Sequence, residues 1–545
     1  MTKKLQLFPV AGTHRPEPVH PNTKGKPVNG NKVVYVTLRV ATKASKNPKR
    51  LEAYFTKRNK QVRLGHPVAP LTPAQYAARF GADKKDLAKV RRQMKKYDRI
   101  EFVRQAQYNG DLVYKGPVAA FREIAEFNLV NYTDKHGKHF MARIGEISLK
   151  DPILASLVTS VRGLDTRKQG HTHARPALDE QGKPKKPHAV DNSWTVTDLA
   201  ARFNVPVAML QKLAKKNVTI GLVELGGGYT TSDNQQAAAT MGVSEPQVGD
   251  VLVDGATNSP GDPNGADGEV ALDIQALFML GSNVKILVGQ GPNSGSGFVD
   301  IIEALIDAGC DVISISWGMA QDNWSAADIA AMEAALARAD ALGIVVMVAS
   351  GDTGSADSGQ DGKSHVDYPS ASAHATGAGG LFVPKTGTIT VWNDDPTSSA
   401  TGGGVATNAV PSFQAALQAA GKLPKNADTG AAGRCVPDLS ADADPNSGVV
   451  ILVDGQWMVI GGTSFAAPFI AAGLGAIICL IGKRLVGFNT YIYQFGYTDG
   501  FIIDVLPPGN NGAYNVLEGY DCCTGLGYMD FTKFLTSLQN RGFAA

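Results

Sequence analysis

Cysteine is scarce in this chain. Its 545 residues include five cysteines, all of them beyond residue 309. Five is an odd number, the spacings match no zinc-binding pattern, and a chain of this length needs no disulfide framework. The sequence therefore argues against a small disulfide-stabilised fold and a zinc module. We expect most of the cysteines to be buried as small apolar side chains.

A long apolar segment near the N terminus is also missing. The first residues, MTKKLQLFPVAGTHRPEP, contain no hydrophobic stretch of the kind found in signal peptides. The longest apolar stretch covers residues 465–481 and contains Pro468, so we interpret it as a buried core helix rather than a membrane span. We expect no membrane partner.

Charged residues make up only 19% of the chain, and the net charge is +3. The net charge is small because two oppositely charged regions nearly cancel. Residues 1–188 contain 38 Lys and Arg and 15 Asp and Glu, a net charge of +23, whereas the remainder contains 15 and 35, a net charge of −20. Oppositely charged parts favour electrostatic docking of one on the other. A nucleic-acid-binding appendage is less favoured because the basic part contains no recognisable nucleic-acid motif, and we expect no nucleic-acid partner.

Composition and periodicity divide the chain into three regions. Residues 1–165 predict a small basic α+β domain, in which residues 1–31 are flexible, residues 32–41 form a strand, and helices begin at Thr72-Pro73 and Ala82-Asp83. Residues 166–190 are polar, basic and rich in Pro and Gly, which is typical of an exposed linker that is open to cleavage.

The third region, residues 191–545, alternates apolar strand-like runs with helical patterns such as 325–342. Near-continuous hydrophobic strands that alternate with helices are typical of a parallel sheet covered on both faces. Ligands of such sheets bind beyond the carboxyl ends of the strands. The strand-like runs cover residues 218–225, 284–290, 311–318 and 343–350.

Histidine is scarce where a serine nucleophile would need it. The sequence VIGGTSFAAP predicts a nucleophile loop before a buried helix, with Ser464 as the nucleophile, and a serine hydroxyl requires a base. Three histidines lie at or beyond residue 188: His188 in the linker, and His365 and His374 in a loop-like stretch. A Ser-His enzyme that uses His365 is therefore an open alternative.

A helical pattern over residues 264–281 offers carboxylates instead. Asp267 can cap its start. Glu269 and Asp273 are four residues apart and share one face of a mostly apolar helix, and no Lys or Arg follows before Lys285. Two buried carboxylates without a cation retain a proton, so one of them can act as a general base for a serine, most usefully in acid.

A third acidic residue, Asp352, follows an apolar strand in the turn SGDTGS. By itself this position predicts an ordinary turn aspartate.

Taken together, these segments resemble the sedolisin family, the serine-carboxyl peptidases. The resemblance covers nearly the whole chain, because the basic part is similar to the family's activation prodomain. It implies a subtilisin-like parallel sheet with helices on both faces, preceded by a small α+β, ferredoxin-like prodomain. The motifs that carry it are IGLVELGGGY, VDGATNSPGDPNGADGEVALDI, VISISWGMAQDNW, ASGDTGSADSGQDGKSHVDYPSAS, ATGGGVA, VPDLSADADP, VIGGTSFAAP and DCCTGLG.

The resemblance assigns roles to the candidate residues. It implies that Ser464 is the nucleophile, that Glu269 is its base, and that Asp273 orients Glu269. Asp352 would occupy the oxyanion position, where a carboxyl group can donate a hydrogen bond only when it is protonated. The family's extended carboxyl chain would include Glu224 and Trp317, and its substrate-binding positions would be Ser316, Gly318, Gly403 and Asp367.

The resemblance also implies a calcium site near the C terminus. Asp504 and Asp521 would supply carboxylates, and Val505, Leu517 and Gly519 would supply backbone oxygens, with a water as the sixth ligand. Two positions depart from the family pattern. Leu517 stands where glycine is typical, and DCCTG replaces DPCTG, which leaves Cys522 unexplained.

These interpretations predict a self-processing zymogen of an acid-active serine endopeptidase that forms an acyl-enzyme. We expect the prodomain, residues 1–165, to inhibit the peptidase domain, residues 191–545, until the linker is cut. Polypeptides are the expected substrates, a monomer is the expected state, and secretion to the exterior or to an acidic compartment is the expected location. An inactive peptidase-like binding protein is the alternative from a different functional class.

Overall fold

The computed structural model describes nine stretches of the chain: residues 6–18, 25–106, 110–134, 137–179, 181–187, 190–210, 212–213, 217–263 and 265–543. Two parts are distinguished by their sheets. The N-terminal part has antiparallel sheets, and the C-terminal part is built around an eight-stranded, largely parallel sheet.

The N-terminal part is a small α+β domain. One sheet has four strands in the order Glu101–Gln105, Asp111–Pro117, Val33–Val40 and Val158–Arg162, and a second sheet is centred on Ala125–Thr133 and His139–Leu149. Thr72 and Asp83 occupy the N-cap positions of two helices, as their sequence signals predict. The helices here are Lys43–Lys46, Pro48–Arg63, Pro73–Arg79, Lys84–Met94, Val118–Ile124 and Pro152–Leu157.

The described parts of residues 1–31 are not a free segment, in contrast to the flexible tail that the sequence predicts. Phe8–Pro9 pairs with Leu149 and Ser148, and Lys26–Pro27 pairs with Asn131 and Val130. These short pairings extend the second sheet at both edges. Local composition marks the segment as polar, but it does not reveal that a sheet edge elsewhere in the chain pairs with its backbone groups.

The C-terminal sheet has the strand order Gln247–Leu252, Val284–Gln290, Val218–Glu224, Val312–Ile315, Val345–Ala349 and Thr376–Phe382, with Leu439–Asp442 also paired to the last of these in parallel. Thr390–Val391 adds an antiparallel edge. Because neighbouring parallel strands end at one edge, Glu224, Ser316 and Asp352 come from adjacent strand ends. The predicted fold class is confirmed.

Shorter strands complete this part: Trp317–Ala320, Asp367–Tyr368, Asn393–Asp395, Ser399–Ala400, Gly404–Val405, Cys435–Val436, Val449–Val453, Gln456–Gly461, Ile502–Ile503 and Tyr528–Met529. Its α-helices are Val196–Arg202, Val207–Leu210, Thr231–Met241, Asp267–Ala276, Gly295–Asp307, Ala326–Ala341, Ala415–Ala419, Thr463–Ile481, Phe488–Phe495 and Phe531–Asn540. Leu277–Asn283, Gln321–Asn323 and Gly354–Ala356 are 3-10 helices.

Helices cover both faces of the sheet. Thr463–Ile481 and Asp267–Ala276 contribute to the core on one face, and Gly295–Asp307 and Ala326–Ala341 to the core on the other. Within the described residues, Thr463–Ile481 is the helix that is long and apolar enough to cross a membrane, yet 94% of its apolar window is buried inside the protein. It therefore packs as a core helix.

The N-terminal part docks on the second of these faces through buried ion pairs. Arg162 lies 3.0 Å from Asp111 in its own sheet and 3.2 Å from Asp300 of helix Gly295–Asp307. Arg104 lies 3.4 Å from Asp300, and Arg39 lies 3.7 Å from Glu303. Guanidinium groups of the basic part thus meet carboxylates of the acidic part, as electrostatic docking requires.

The described residues of the segment 166–190 are only partly exposed, in contrast to the predicted linker. Gln169 and His173 are 1% exposed, and Ala177 is 3% exposed. His171–Thr172 and Arg175–Pro176 are strands that pair with the C-terminal part. A polar segment can be buried in this way because sheet edges satisfy its backbone groups. The boundaries 1–165, 166–190 and 191–545 stay a prediction.

We predict that the Arg162 network is the strongest polar contribution to docking. Arg162→Met removes the guanidinium that lies between Asp111 and Asp300 and leaves them with the partly exposed Arg39 and Arg104, so it should lower the free energy of unfolding by about 3 kcal/mol. Arg99→Met removes an ion pair with Glu123 whose side chains are both about half exposed, so it should cost less than about 1 kcal/mol. Urea denaturation of the intact chain at neutral pH measures both values, and equal losses would contradict the prediction.

Candidate active site

Ser464 lies at the start of the buried helix Thr463–Ile481, just beyond the strand Gln456–Gly461. Gly462 joins the two with φ of +97°, a conformation that favours glycine. A Cβ at this position would lie 1.8 Å from the His173 carbonyl oxygen and 2.7 Å from Asp352 Oδ2. The missing side chain therefore lets a carbonyl group, a carboxyl group and Ser464 approach one another.

Two carboxyl groups of helix Asp267–Ala276 face this serine. Glu269 is 1% exposed and Asp273 is fully buried. Glu269 interacts with the Ser464 hydroxyl and with the backbone of Ala174, although neither of its oxygens makes a hydrogen bond of good geometry to the residues described. Catalytic hydrogen bonds are often long or poorly aligned before the reacting complex forms, and they shorten in that complex.

Asp267, the predicted cap of this helix, has a different position. Ala266 is the N-cap, and Asp267 is the first helical residue. The Asp267 carboxylate accepts hydrogen bonds from the backbone N–H groups of Gly228, Gly261 and Asp262. It therefore fixes the loops that precede the helix, because three donors from outside the helix occupy its oxygens.

Further side chains connect Asp273 to the sheet. The Ser316 hydroxyl lies 2.8 Å from Asp273 Oδ1 and 3.1 Å from the Ser464 carbonyl oxygen. Glu224 interacts with Asp273, and Trp317 Nε1 donates to Glu224 Oε2 at 3.0 Å. The structure thus brings together Ser464, Glu269, Asp273, Glu224 and Trp317 in one buried row.

Burial determines the protonation of this row. It raises the pKa of Asp273 to about 8, and it raises the pKa of Glu269 and of Glu224 well above the usual range. Mutual repulsion between the carboxylates adds to the shifts of both glutamates. The row therefore holds protons at neutral pH, and a hydroxyl proton from Ser464 can be accepted only by a carboxyl group that has lost its own.

Asp352 contacts Thr463, the residue that precedes Ser464. Its Oδ1 accepts hydrogen bonds from Thr463 N–H at 2.8 Å and from the Thr463 hydroxyl at 2.7 Å. Its Oδ2 points toward the region of the His173 carbonyl, above Gly462. Burial raises the pKa of Asp352, whereas His173, Arg175 and the Thr463 hydrogen bonds oppose this shift.

Residues 171–176 run through this cleft as an extended strand. His171 and Thr172 pair antiparallel with Gly318 and Trp317, and Arg175 and Pro176 pair antiparallel with Gly461 and Ile460. His173 N–H donates to the Ser316 carbonyl at 3.3 Å, and Ser464 N–H donates to the His173 carbonyl at 3.3 Å. The peptide bond between His173 and Ala174 therefore lies against Ser464.

The His173 side chain occupies an acidic pocket. His173 Nε2 lies 3.1 Å from Asp367 Oδ2, and both groups are buried. Asp357 is also buried, and burial, followed by repulsion from Asp367, raises the pKa of Asp357 well above its usual range. Burial likewise raises the pKa of Asp367 and lowers the pKa of His173 to about 4, because it disfavours the charged form of each group.

The structure does not bring every predicted residue to the cleft strand. Ser316, Gly318 and Asp367 contact it, whereas the Gly403 carbonyl accepts a hydrogen bond from Asn511 and the next residues pair with Cys435–Val436. A substrate contact by Gly403 stays a prediction. His365 lies 3.0 Å from Asp322 and 2.8 Å from Asp361.

His374 lies 3.1 Å from Asp340, and His188 is outside the described residues. Sequence reasoning did not find His173, Ala174, Arg175 or Asp357. The run HTHARP, residues 171–176, has no helical period, which is typical of an extended segment and could have indicated this strand. Asp357 has no comparable signal because it lies in a turn rich in Gly and Ser.

The predicted calcium residues form a separate group near the C terminus. Asp504 Oδ2 accepts a hydrogen bond from Gly519 N–H at 2.7 Å, while Asp504 Oδ1 is buried without a hydrogen-bond partner in the described chain. Asp521 Oδ2 accepts from Leu517 N–H at 3.1 Å. A buried carboxylate oxygen without a hydrogen-bond donor fits a hard cation such as calcium.

Comparison with known families gives two matches. Residues 265–482 match the subtilase family, and residues 22–167 match the pro-kumamolisin activation domain. The first match contains Ser464, Glu269, Asp273 and Asp352, and the second covers most of the basic N-terminal part.

Curated relatives extend this likeness over nearly the full chain. Kumamolisin from Bacillus sp. (strain MN-32) is 36% identical over 520 residues, which is 92% of this chain and 91% of kumamolisin. Sedolisin from Pseudomonas sp. (strain 101) is 29% identical over 357 residues, 60% of this chain and 59% of sedolisin.

A solved structure shares the fold of the C-terminal part. It is Pseudomonas sedolisin, a serine-carboxyl proteinase, complexed with two molecules of pseudo-iodotyrostatin. The likeness has a TM-score of 0.54 at 24% identity, and covers 65% of this chain and 99% of the sedolisin chain.

Proposed function

The chain belongs to the sedolisin family of serine-carboxyl peptidases as a zymogen with an activation domain, and on this premise we propose that it cleaves peptide bonds in acid through a triad of Ser464, Glu269 and Asp273. The observation that carries the proposal is the position of one peptide bond. The His173 carbonyl accepts a hydrogen bond from Ser464 N–H, and Glu269 faces both the Ser464 hydroxyl and the Ala174 backbone.

The proposed reaction begins with the bond between His173 and Ala174. Ionised Glu269 takes the Ser464 hydroxyl proton while Ser464 Oγ attacks the His173 carbonyl carbon. Glu269 then gives that proton to the Ala174 nitrogen, and the C–N bond breaks. An ester of Ser464 remains, which water hydrolyses with Glu269 again acting as base. Asp273 positions Glu269 and repels its charge.

The proposed activity in acid follows from the group that stabilises the oxyanion. The developing oxyanion would receive hydrogen bonds from Ser464 N–H and from protonated Asp352 Oδ2. Asp352 binds this proton as the pH falls through its pKa and loses it as the pH rises. Activity should therefore decline at high pH as Asp352 loses its proton. It should also decline as the pH falls and the row becomes fully protonated, because the pKa of Glu269 is raised and its ionised fraction shrinks. Such an enzyme suits the cell exterior or an acidic compartment.

The activation domain acts as an intramolecular inhibitor of the peptidase domain, and polypeptides are the substrates of the released enzyme. We propose that acid also weakens docking, because burial raises the pKa of Glu303 and this carboxylate loses its attraction to Arg39 when it is protonated. Cleavage within 166–190 and loss of the docked domain would then occur under the same conditions.

The alternative mechanism, in which His365 is the base, gains no support from the geometry. His365 is hydrogen-bonded to Asp322 and Asp361, and within the described residues it makes no hydrogen bond to Ser464. Ser464 Oγ instead lies 3.1 Å from the Ser316 carbonyl, in the row that contains Glu269. A base other than histidine is thus already beside the nucleophile.

We further propose that the pocket around His173 prefers basic side chains before the cleaved bond. Asp367 contacts the His173 imidazole, and Asp357 adds a second buried carboxyl group. A charged Lys, Arg or His would let one of these carboxyl groups ionise against a cation, which burial otherwise opposes. Charge neutralisation inside a buried pocket would therefore select the substrate.

Calcium is the proposed resident ion of the C-terminal group. Asp504 and Asp521 would hold it with the backbone oxygens of Val505, Leu517 and Gly519, and Leu517 can serve because a backbone ligand does not depend on its side chain. The ion would stabilise the loops that carry these residues. It would take no part in the chemistry at Ser464.

Replacing the nucleophile tests the triad. In the full-length precursor at acid pH, Ser464→Ala should abolish cleavage between His173 and Ala174, and Glu269→Gln should slow it by at least about a thousandfold because the base is lost. N-terminal mapping and mass spectrometry of the products measure this. His365→Ala is the matched control and should cleave normally. Continued cleavage in purified Ser464→Ala protein would overturn the triad.

The pocket proposal predicts a change of specificity in the mature enzyme. Asp367→Asn should lower kcat/KM for peptides with Arg before the cleaved bond by about tenfold to a hundredfold relative to peptides with Leu. This matches about 1.5–3 kcal/mol for a hydrogen bond to a charged group. Asp395→Asn, at the exposed end of the strand Asn393–Asp395, is the control. A uniform loss on both peptides would contradict a specificity role.

Calcium binding is tested without an activity measurement. Adding a chelator to the precursor should lower its thermal midpoint by several degrees, since losing a bound ion removes its linkage stabilisation. In Asp504→Asn protein the midpoint should be lower already and respond little to the chelator. If both proteins melt at one temperature with and without calcium, this site does not bind the ion.

A further inference from the structure

Arg175 lies in the cleft two residues after the His173 carbonyl. Its Nε is 3.3 Å from Asp352 Oδ2. The Arg175 side chain is 35% exposed, whereas that of Asp352 is completely buried. A cation carried by the segment to be cut thus reaches the carboxyl group that faces the cleaved bond.

The contact involves the one Asp352 oxygen that the reaction needs. Both Thr463 hydrogen bonds go to Oδ1, which leaves Oδ2 for the oxyanion. Asp352 Oδ2 and the His173 carbonyl oxygen both approach the space above Gly462. A proton on Oδ2 would support the oxyanion, but a guanidinium at 3.3 Å favours the ionised carboxylate. The two requirements conflict.

Other groups around Asp352 do not replace this cation. His173 is buried and its pKa is lowered to about 4, so it is neutral at neutral pH. Arginine stays charged throughout the pH range of interest. The remaining groups that interact with Asp352 are acids or hydrogen-bond donors on three other segments, namely Glu269, Asp357, Asp367 and Thr463.

We propose that Arg175 is an inhibitory counter-ion, which holds Asp352 ionised while residues 171–176 fill the cleft and so delays cleavage after His173 until acid protonates Asp352. The inference rests on the proposed roles of Asp352 and Ser464. It explains how a precursor with its own peptide bond against the nucleophile can persist at neutral pH. After cleavage, Arg175 is the second residue of the new N terminus and can leave the cleft with it.

The test uses the full-length precursor and its rate of self-cleavage as a function of pH. Arg175→Gln should move the upper pH limit of cleavage upward by about one unit. This is the low end of the effect of a neighbouring charge, because Arg175 is partly exposed. Arg175→Lys should keep most of the wild-type profile. Lys183→Gln removes the same charge from an exposed linker position and should change nothing.

An unchanged pH profile in Arg175→Gln protein, with cleavage still after His173, would overturn the inference and leave the triad intact. Cleavage of the Ser464→Ala, Arg175→Gln double variant would instead refute the triad. If Lys183→Gln gave an equal shift, linker charge rather than the Asp352 contact would be responsible.

A second measurement covers the case in which Arg175→Gln precursor does not fold. Mature wild-type enzyme is given two peptides that contain GHTHARP or GHTHAQP. The peptide with Gln should be cleaved up to a pH about one unit higher than the peptide with Arg. Equal profiles for the two peptides would overturn the inference.

Discussion

The burial of carboxyl groups without a cation at the strand ends is the constraint on which the active site depends. Glu224, Glu269 and Asp273 lie in a region from which water is largely excluded, and each has a raised pKa. Helix Asp267–Ala276 is buried along its whole length, so these groups cannot turn to solvent. Protons must therefore be shared within the row, and this gives a serine a base that a lone surface glutamate could not provide.

Buried carboxyl groups occur in two different environments in this protein, one with cations and one without. At the docking surface, Asp111 and Asp300 face guanidinium groups, and the neighbouring Arg162 holds the pKa of Asp111 below its usual range. In the row of Glu224, Glu269 and Asp273 the carboxyl groups face one another instead of a cation, and burial raises the pKa of each. Acid therefore weakens the first arrangement, because it removes the negative partner, and favours the protonated oxyanion donor, Asp352. Under the proposed mechanism, one change of pH would release the activation domain and prepare the catalytic site.

Sequence alone identified most of the peptidase fold and the residues of the carboxyl row. Strands such as Val345–Ala349 were predictable because they are apolar throughout, and Glu269 and Asp273 stood out because no cation accompanies them on an apolar helix. Residues 166–190 were less predictable. Their polarity is typical of exposed residues. However, the strand edge at Trp317–Gly318 forms hydrogen bonds with their backbone, and local composition cannot reveal an edge so distant in the sequence. Asp267 is the first helical residue rather than the predicted N-cap, because backbone amides of the loops donate hydrogen bonds to its carboxylate.

Gly462 connects these observations. A Cβ there would occupy the space shared by the His173 carbonyl and Asp352 Oδ2, so the absence of a side chain lets a peptide carbonyl and a carboxyl group meet beside Ser464. Any chain that binds between the strand edges at Trp317–Gly318 and Ile460–Gly461 presents its carbonyl at this point. Under the proposed mechanism, the backbone would fix where cleavage takes place, while the side chains at 173 and 175 would change its rate and its pH dependence. Positional control by backbone and rate control by side chains can therefore evolve separately.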